Sequence, residues 1–153
     1  RGFRNSYDIA WGADGVLFTT DNMPDFGPPE EFNRVEPGGE HGYPWYDCDV
    51  CFPAPEGVEI VPPLHTFIPH TAPTGITAYL DDEFPGFYNS LFVTLWSAFP
   101  EGQRIVWFGP GGEETATFAT GFAAPIDLTV GPDGALYVAD WATGIVFRIA
   151  YGG

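Results

Sequence analysis

A short segment that recurs along the chain constrains its fold more than any other feature. Residues 7–22, "YDIAWGADGVLFTTDN", match residues 126–141, "IDLTVGPDGALYVADW", in their aspartate, glycine and leucine positions. Residues 74–96, "TGITAYLDDEFPGFYNSLFVTLW", form a looser copy with an expanded turn. Each copy predicts a strand, a tight turn and a second strand, because Asp-Gly supplies the positive φ that a hairpin turn requires.

Further extended runs accompany every copy. A third strand is predicted after each pair, at residues 32–35, 104–108 and 145–149, and additional runs at 58–61 and 115–120 precede the second and third copies. Modules of four short strands, repeated about every 50–60 residues, are typical of β-propeller blades. We therefore predict an all-β fold: a single partial β-propeller over residues 1–153, with about three four-stranded blades in modules at approximately 1–50, 51–112 and 113–153.

Three blades do not close a ring, because propellers normally carry about 4 to 8. An unclosed ring also leaves unpaired strand edges, which folded proteins avoid. We therefore expect the ring to be completed by the remainder of its own chain, by a partner subunit, or by a second copy of this chain. The sequence starts without methionine and without a signal peptide, which favours a fragment or a processed form of a longer protein.

The charge of the chain excludes several classes of partner. The formal net charge is −16, with five arginines and no lysine, so the surface repels nucleic-acid phosphates and anionic lipids. No run of about 18 apolar residues predicts insertion into a membrane. Such acidity suits an extracellular or periplasmic location, although it also suits cation binding. The two cysteines, Cys48 and Cys51, form a lone CxxC that fits a local disulfide, free thiols or half a zinc site, of which we favour the disulfide.

Several motifs beyond the repeat are similar to those of a known enzyme family. The stretch "GFRNSYDIAWGADGVLFTTDNMPDFGPPEEFNRVEPGGEHGYPW", followed by "HTAPTGITAY", "FPGFYNSLFVTLW" and "GPDGALYVADWATGIVFRI", resembles the soluble quinoprotein glucose/sorbosone dehydrogenases. The resemblance covers essentially the whole chain and corresponds to the C-terminal half of a six-bladed propeller. It implies the oxidation of aldose-type sugars with pyrroloquinoline quinone (PQQ) and calcium, the quinone lying at the mouth of the central channel.

The same resemblance assigns roles to residues on the predicted rim of the channel. An Arg-Asn pair of the family contacts the quinone, and the backbone carbonyls of a Gly-Pro pair hold calcium, an ion that accepts oxygen-only ligands. Side-chain oxygens of Asn22 or Glu31 would complete the calcium shell. The candidate cofactor-binding residues are Arg4, Asn5 and Asn22, together with Trp96, which lies past a strand end where it could line a ligand groove; the candidate metal ligands are Met23, Pro24 and Glu31.

The sequence also departs from the family's pattern. Some members grip the quinone with further cations on later blades, where this chain reads "WSA" at residues 96–98 and "AAP" at 123–125. The general-base histidine of the family belongs to the N-terminal half, which this chain lacks, and His70 is the remaining proton carrier on the rim. We therefore expect the chain alone to be impaired or inactive, and we keep a non-catalytic binding or assembly module as the alternative.

The other titratable groups favour structural roles. Aspartates that recur at the same place in separate copies are expected to form turns or to accept backbone hydrogen bonds at strand ends. His41 and His65 lack a spacing typical of metal ligands, and we predict that both are structural. Aromatic residues alternate along the strands, which predicts packing between blades; they are Trp11, Phe18, Phe92, Trp107, Tyr137 and Phe147.

Overall fold

The regular structure in the described part of the chain consists of strands. The computed structural model describes residues 1–25, 27–45, 51–113 and 115–152. The described strands are β1 (Ser6–Trp11), β2 (Leu17–Asp21), β3 (Glu30–Arg34), β4 (His65–Phe67), β5 (Pro73–Tyr79), β6 (Ser90–Leu95), β7 (Arg104–Phe108), β8 (Thr115–Thr120), β9 (Pro125–Val130), β10 (Leu136–Asp140) and β11 (Ile145–Ile149). The predicted all-β fold is confirmed.

These strands form three antiparallel sheets, which we name the first, second and third blades. The first blade contains β1 to β4 in chain order, the second β5 to β8, and the third β9 to β11. Both Asp-Gly hairpins form as predicted: Gly15 has φ 78° and Gly134 has φ 69°. The side chains of Asp14 and Asp133 accept hydrogen bonds from the backbone two residues on, at 3.2 and 3.4 Å.

The predicted outer strands need correction. Residues 58–61 form no strand, and β4 completes the first blade instead by pairing with β3. Val61 donates its N–H to the Glu40 carbonyl, and the two prolines that follow have no N–H to give to a sheet. Thr115–Thr120 is a strand, but it pairs with β7 and so belongs to the second blade rather than to the module that follows it.

Other differences are smaller. The third strand of the first blade begins and ends slightly earlier than predicted, at Glu30 and Arg34. Cys48 and Gly153 lie outside the described residues, whereas Cys51 is disulfide-bonded. No helix in the described residues is long and apolar enough to cross a membrane.

The hydrophobic core lies between successive blades. Phe18 and Phe32 of the first blade pack with Ile76 and Phe108 of the second in one buried cluster, where the rings of Phe32 and Phe108 stack at 4.2 Å. A second cluster joins the second blade to the third and includes Tyr79, Phe92, Ile105, Leu128, Leu136 and Val138. Burial of both faces of the second blade explains why its central strand β6 is buried throughout.

The prediction that the strand aromatics pack between blades is wrong for Trp11. Phe18 and Phe92 are buried, but Trp11 is 59% exposed. Ala10 points into the core beside the second blade, so its neighbours Ile9 and Trp11 point to the opposite face of β1 because side chains alternate along a strand. Ile9 is also more than half exposed, at 56%.

Backbone and polar contacts fix the blades to one another near the channel. Asp8 of β1 accepts a hydrogen bond from the Ile76 N–H of β5 at 3.1 Å, and Thr20 donates to the Thr74 carbonyl at 3.0 Å. Gly75 corresponds in the repeat to Asp8 and Asp127, and it has no side chain because β9 approaches too closely. A Cβ on Gly75 would lie 2.6 Å from the Asp127 Cα.

We predict that Gly75→Ala destabilises the fold by about 1–3 kcal/mol, the usual cost of overpacking a rigid interior. The added methyl group would meet backbone, which cannot rotate away as a side chain can. The free energy of unfolding, measured in denaturant, tests this. Gly152→Ala is the control, because nothing lies within 4 Å of its added Cβ. Equal stability of the two variants would show that β5 and β9 are not in close contact.

Candidate functional site

Asp21 at the end of β2 positions the segment that carries Arg4 and Asn5. Its carboxylate accepts hydrogen bonds from the Arg4 N–H at 2.8 Å and the Asn5 N–H at 2.7 Å. Burial raises the pKa of Asp21, and those two backbone hydrogen bonds oppose the rise. The predicted structural role of this aspartate is therefore confirmed, and it brings two candidate site residues to the rim.

The third blade has the same arrangement of a strand-end aspartate and two backbone N–H groups. Asp140 ends β10 as Asp21 ends β2, and its carboxylate accepts from the N–H groups of Ala123 and Ala124 at 2.8 and 3.0 Å. The second blade has Leu95 at this position, and there a backbone hydrogen bond takes the place of the aspartate: the Trp96 N–H donates to the Ala72 carbonyl at 3.0 Å. An aspartate at the end of the second strand therefore orders the rim segment that precedes the innermost strand.

A cleft of about 460 Å³ opens on this rim between the first and second blades. All four candidate cofactor-binding residues, Arg4, Asn5, Asn22 and Trp96, line it. They come from three separate segments of the chain, which only the packing of the two blades brings together. The other lining residues are Met23, Asp25, Glu30, His70, Ala72, Ser97 and Phe99.

Glu30, which the sequence analysis did not single out, holds two walls of the cleft together. One carboxylate oxygen accepts from the Met23 N–H at 2.7 Å, and the other accepts from the His70 N–H at 3.0 Å. The side chain is buried, and burial raises its pKa. The alternation of side chains along β3 could have indicated this role. With Phe32 in the core, Glu30 and not Glu31 lies on the face toward the second blade.

Glu31 points to the other face of β3, away from the cleft. Its carboxylate accepts a hydrogen bond from the Asn33 amide at 3.0 Å. Burial, together with the nearby charges of Asp21 and Glu30, raises the pKa of Glu31 to about 7. The Oδ1 atom of Asn33 is buried without a hydrogen-bond partner among the described residues.

His70 lies on the rim, as the sequence predicts, in a constrained backbone conformation. Its φ is 71° and that of Ala72 is 50°, so the turn between β4 and β5 holds two non-glycine residues in the left-handed region. The imidazole lies 5.0 Å from the Phe99 ring, and Nδ1 is 4.0 Å from a carboxylate oxygen of the exposed Asp25. His70 is thus placed where a proton carrier would face a ligand in the cleft.

The other two histidines are structural, as predicted. His41 is buried, stacks on Phe3 at 4.3 Å, and accepts a hydrogen bond from the Glu36 N–H at 3.3 Å. His65 packs edge-on against Phe67 and Phe108. Burial lowers the pKa of both imidazoles, and neither lines the rim cleft.

The Arg4 guanidinium lies against the backbone carbonyls of the Met23 loop. Its Nη1 donates to the Asn22 carbonyl at 2.9 Å and to the Met23 carbonyl at 3.2 Å. The candidate calcium ligands are not gathered around a common point, since Met23 lines the cleft, Pro24 is absent from its lining and Glu31 faces the other way. Among the described residues, no group of three or more His, Cys, Asp or Glu side chains is placed to hold a metal. The candidate calcium ligands therefore do not fit a calcium ion in this arrangement.

A planar quinone fits the cleft better than calcium does. The indole ring of Trp96 and the ring of Phe99 supply flat apolar surface, while Arg4, Asn5 and Asn22 supply polar groups. The Trp96 Nε1 is buried without a hydrogen-bond partner among the described residues. Trp96 is held edge-on by Trp141 of the third blade, at 5.8 Å.

A sequence comparison identifies one family. The sequence model described as glucose/sorbosone dehydrogenase matches residues 1–148 of this chain. The match extends from the Arg4 segment through all three blades, so it includes every residue of the rim cleft.

Solved structures of sugar dehydrogenases share the fold. A glucose dehydrogenase aligns with a TM-score of 0.78 at 22% identity, over 99% of this chain and 45% of that one. The PQQ-bound aldose sugar dehydrogenase of Streptomyces coelicolor aligns at 0.67 and 21%, over 99% and 41%. The calcium structure of a family AA12 carbohydrate-active enzyme of Trichoderma reesei aligns at 0.67 and 20%, over 96% and 52%. The chain thus spans about half the length of these neighbours, and about three blades of a β-propeller are present.

We predict that Glu31→Gln stabilises the chain at alkaline pH. The folded pKa of about 7 exceeds the ordinary value of 4.5, so the folded state binds the proton more tightly than the unfolded state. The contribution of Glu31 to stability is complete below about pH 4.5 and is lost as the pH rises through about 7. The expected gain at pH 8 is roughly 1–2 kcal/mol, below the full pKa difference because the side chain is partly exposed.

Denaturant unfolding at pH 5 and pH 8 tests this prediction. The difference in free energy between Glu31→Gln and the wild type should grow from pH 5 to pH 8. Glu56→Gln, on an exposed glutamate, is the control and should show no such growth. A difference that is the same at both pH values would show that Glu31 titrates alike in the folded and unfolded chains.

Proposed function

This chain belongs to the glucose/sorbosone dehydrogenase family, and from that membership we propose that it forms part of a quinoprotein propeller that oxidises aldose-type sugars. The rim cleft between the first and second blades is the proposed cofactor site. When bound there, PQQ would supply the acceptor for the electrons removed from the sugar. Arg4, Asn5, Asn22 and Trp96 hold the quinone, and the sugar approaches from the open side of the cleft.

One observation carries the proposal: four residues from three segments converge on one cleft, and each is held in place by the fold. Asp21 fixes the backbone of Arg4 and Asn5, and the Asn22 amide donates to the Pro73 carbonyl of the second blade at 2.8 Å. Trp96 rests against Trp141. Positioning of this kind lowers the entropic cost of binding a rigid planar ligand.

The proposed site is incomplete without further blades. A base that takes the sugar proton comes from the remainder of the propeller, which the rest of a longer chain, a partner subunit or a second copy would supply. His70 is the candidate within this chain, because it lines the same cleft and an imidazole can both accept and donate a proton. The disulfide-bonded Cys51 and the net charge of −16 support an extracellular or periplasmic location.

A second candidate is a non-catalytic propeller segment that serves as a binding or assembly module. The observation that favours it is the scarcity of cations in the cleft. Arg4 is the one arginine that lines it in the described chain, while a tricarboxylate quinone must approach a chain of net charge −16. Binding of quinone without reduction of a dye by any aldose, once the propeller is complete, would favour this candidate.

We predict that Trp96→Ala weakens PQQ binding by at least about tenfold, because stacking on one aromatic side chain contributes about 1 kcal/mol or more and the indole donor is lost too. Titration of the protein with PQQ, followed by absorbance, gives the affinity. Trp11→Ala is the matched control: it removes the same side chain from an exposed position on β1 outside the cleft. Equal affinities of the two variants, or no binding by the wild type, would contradict the proposed site.

A further inference from the structure

Arg4 hydrogen-bonds one of the two backbone carbonyls at which the family resemblance places a metal ion. The Met23 carbonyl, a candidate calcium ligand, accepts a hydrogen bond from the Arg4 Nη1 at 3.2 Å, and the Asn22 carbonyl accepts from the same nitrogen at 2.9 Å. We propose that the guanidinium of Arg4 replaces calcium in this chain, so that the rim cleft binds its quinone without a metal ion. This inference rests on the proposed function of the cleft.

Both partners of this contact are fixed independently of each other. The Arg4 N–H is held by Asp21 at 2.8 Å, which anchors the backbone from which the guanidinium extends. The Met23 N–H is held by the buried Glu30 at 2.7 Å, which fixes the peptide next to the two carbonyls. The Asn22 N–H also donates to the Asn5 carbonyl at 3.1 Å. The pair of carbonyls and the cation therefore face each other as a feature of the folded rim.

Calcium bound to these carbonyls would lie close to the guanidinium. The ion requires 6–8 oxygen ligands at about 2.3–2.6 Å, so a calcium on the Asn22 carbonyl would lie within about 5.5 Å of Nη1, and the two positive charges would repel. The nearest buried carboxylate, Glu30, already uses both oxygens to accept backbone N–H groups. Asp25 also lines the cleft but is almost fully exposed, so the rim supplies few oxygens to compensate for the loss of Arg4.

The guanidinium can also bind and orient an anionic ligand, as a calcium ion would. Among the described residues, hydrogen bonds reach it only through Nη1, and its other N–H groups remain as donors. A guanidinium pairs with a carboxylate through two parallel hydrogen bonds, which fixes orientation as well as charge. Arg4 thus links the rim carbonyls to a carboxylate of the quinone, with a single positive charge in place of two.

The first experiment measures calcium binding at the rim in the absence of quinone. Amide resonances of Asn22 and Met23 and the indole resonance of Trp96 are followed by NMR during a calcium titration of the full chain. In the wild type we expect these resonances not to move. Arg4→Glu removes the cation and adds a carboxylate beside the two carbonyls, so the resonances should shift and saturate, with an affinity at least about tenfold above that of the wild type.

Arg34→Glu is the matched control, because it makes the same charge change on an exposed side chain outside the cleft. Its rim resonances should behave as in the wild type. Saturable shifts in the wild type, or identical behaviour of Arg4→Glu and Arg34→Glu, would overturn the proposal. Arg4→Lys is a second variant for the case in which Arg4→Glu disrupts the fold of the rim: it keeps a cation there and should leave the resonances unmoved by calcium.

The second experiment adds PQQ. The affinity of the wild type for PQQ should be the same, within about twofold, in excess calcium and in excess chelator. A loss of about tenfold or more in chelator, restored by calcium, would overturn the proposal. If the wild type binds no PQQ under either condition, the proposed function fails, and the calcium titration without quinone still decides whether Arg4 occupies the metal position.

Discussion

The structure depends on the burial of sheet faces between successive blades. A four-stranded sheet with two apolar faces is stable only between two neighbours, and the second blade has both: Phe32 and Phe108 stack on one side, and Tyr79 and Leu136 lie in the cluster on the other. The outer face of the first blade has no such partner in the described chain, and there Ile9 and Trp11 stay exposed. The same packing that stabilises the blades creates the rim cleft where two of them meet.

Within this frame, two buried carboxylates organise the site. Asp21 holds the segment of Arg4 and Asn5, and Glu30 joins the Met23 loop to His70. Neither acid offers an unpaired oxygen to a ligand, because both oxygens of each carboxylate accept hydrogen bonds from backbone N–H groups. Burial raises the pKa of both carboxyl groups, which reflects the free-energy cost of removing them from water. Their hydrogen bonds in return keep Arg4, Asn22 and His70 around one cleft. The chemistry of the site therefore falls to the side chains that these carboxylates position.

Much of the fold is predictable from the sequence because the repeated segments contain Asp-Gly pairs that indicate hairpin turns. Asp-Gly turns predicted the hairpins of the first and third blades, and the extended runs that follow the second and third copies located β7 and β11 to the residue. The outer strands were harder to predict from the sequence. Residues 58–61 look extended by composition, yet β4 lies beyond the two prolines that follow, where only pairing with β3 defines it. Tertiary pairing overrides local preference most readily in such short edge strands.

The sequence indicates which residues lie near the site better than it indicates how they are arranged. The structure brings the candidate residues Arg4, Asn5, Asn22 and Trp96 to one cleft, and that they bind a quinone stays a prediction. The choice of Glu31 over Glu30 shows the limit: adjacent acids in a strand point to opposite faces, and only the register of Phe32 decides which one faces inward. No spacing in the sequence indicates that Arg4 reaches the Met23 carbonyl, because that contact joins two loops through the sheet.

The most direct test of this account is a crystal structure of the completed propeller with PQQ, grown in the presence of a calcium chelator. We expect the quinone in the rim cleft against Trp96, with Arg4 still bound to the Asn22 and Met23 carbonyls and a carboxylate of the quinone on its free N–H groups. A quinone bound elsewhere, or one that enters the cleft only when calcium lies on the Met23 carbonyl and Arg4 has moved away, would contradict the account.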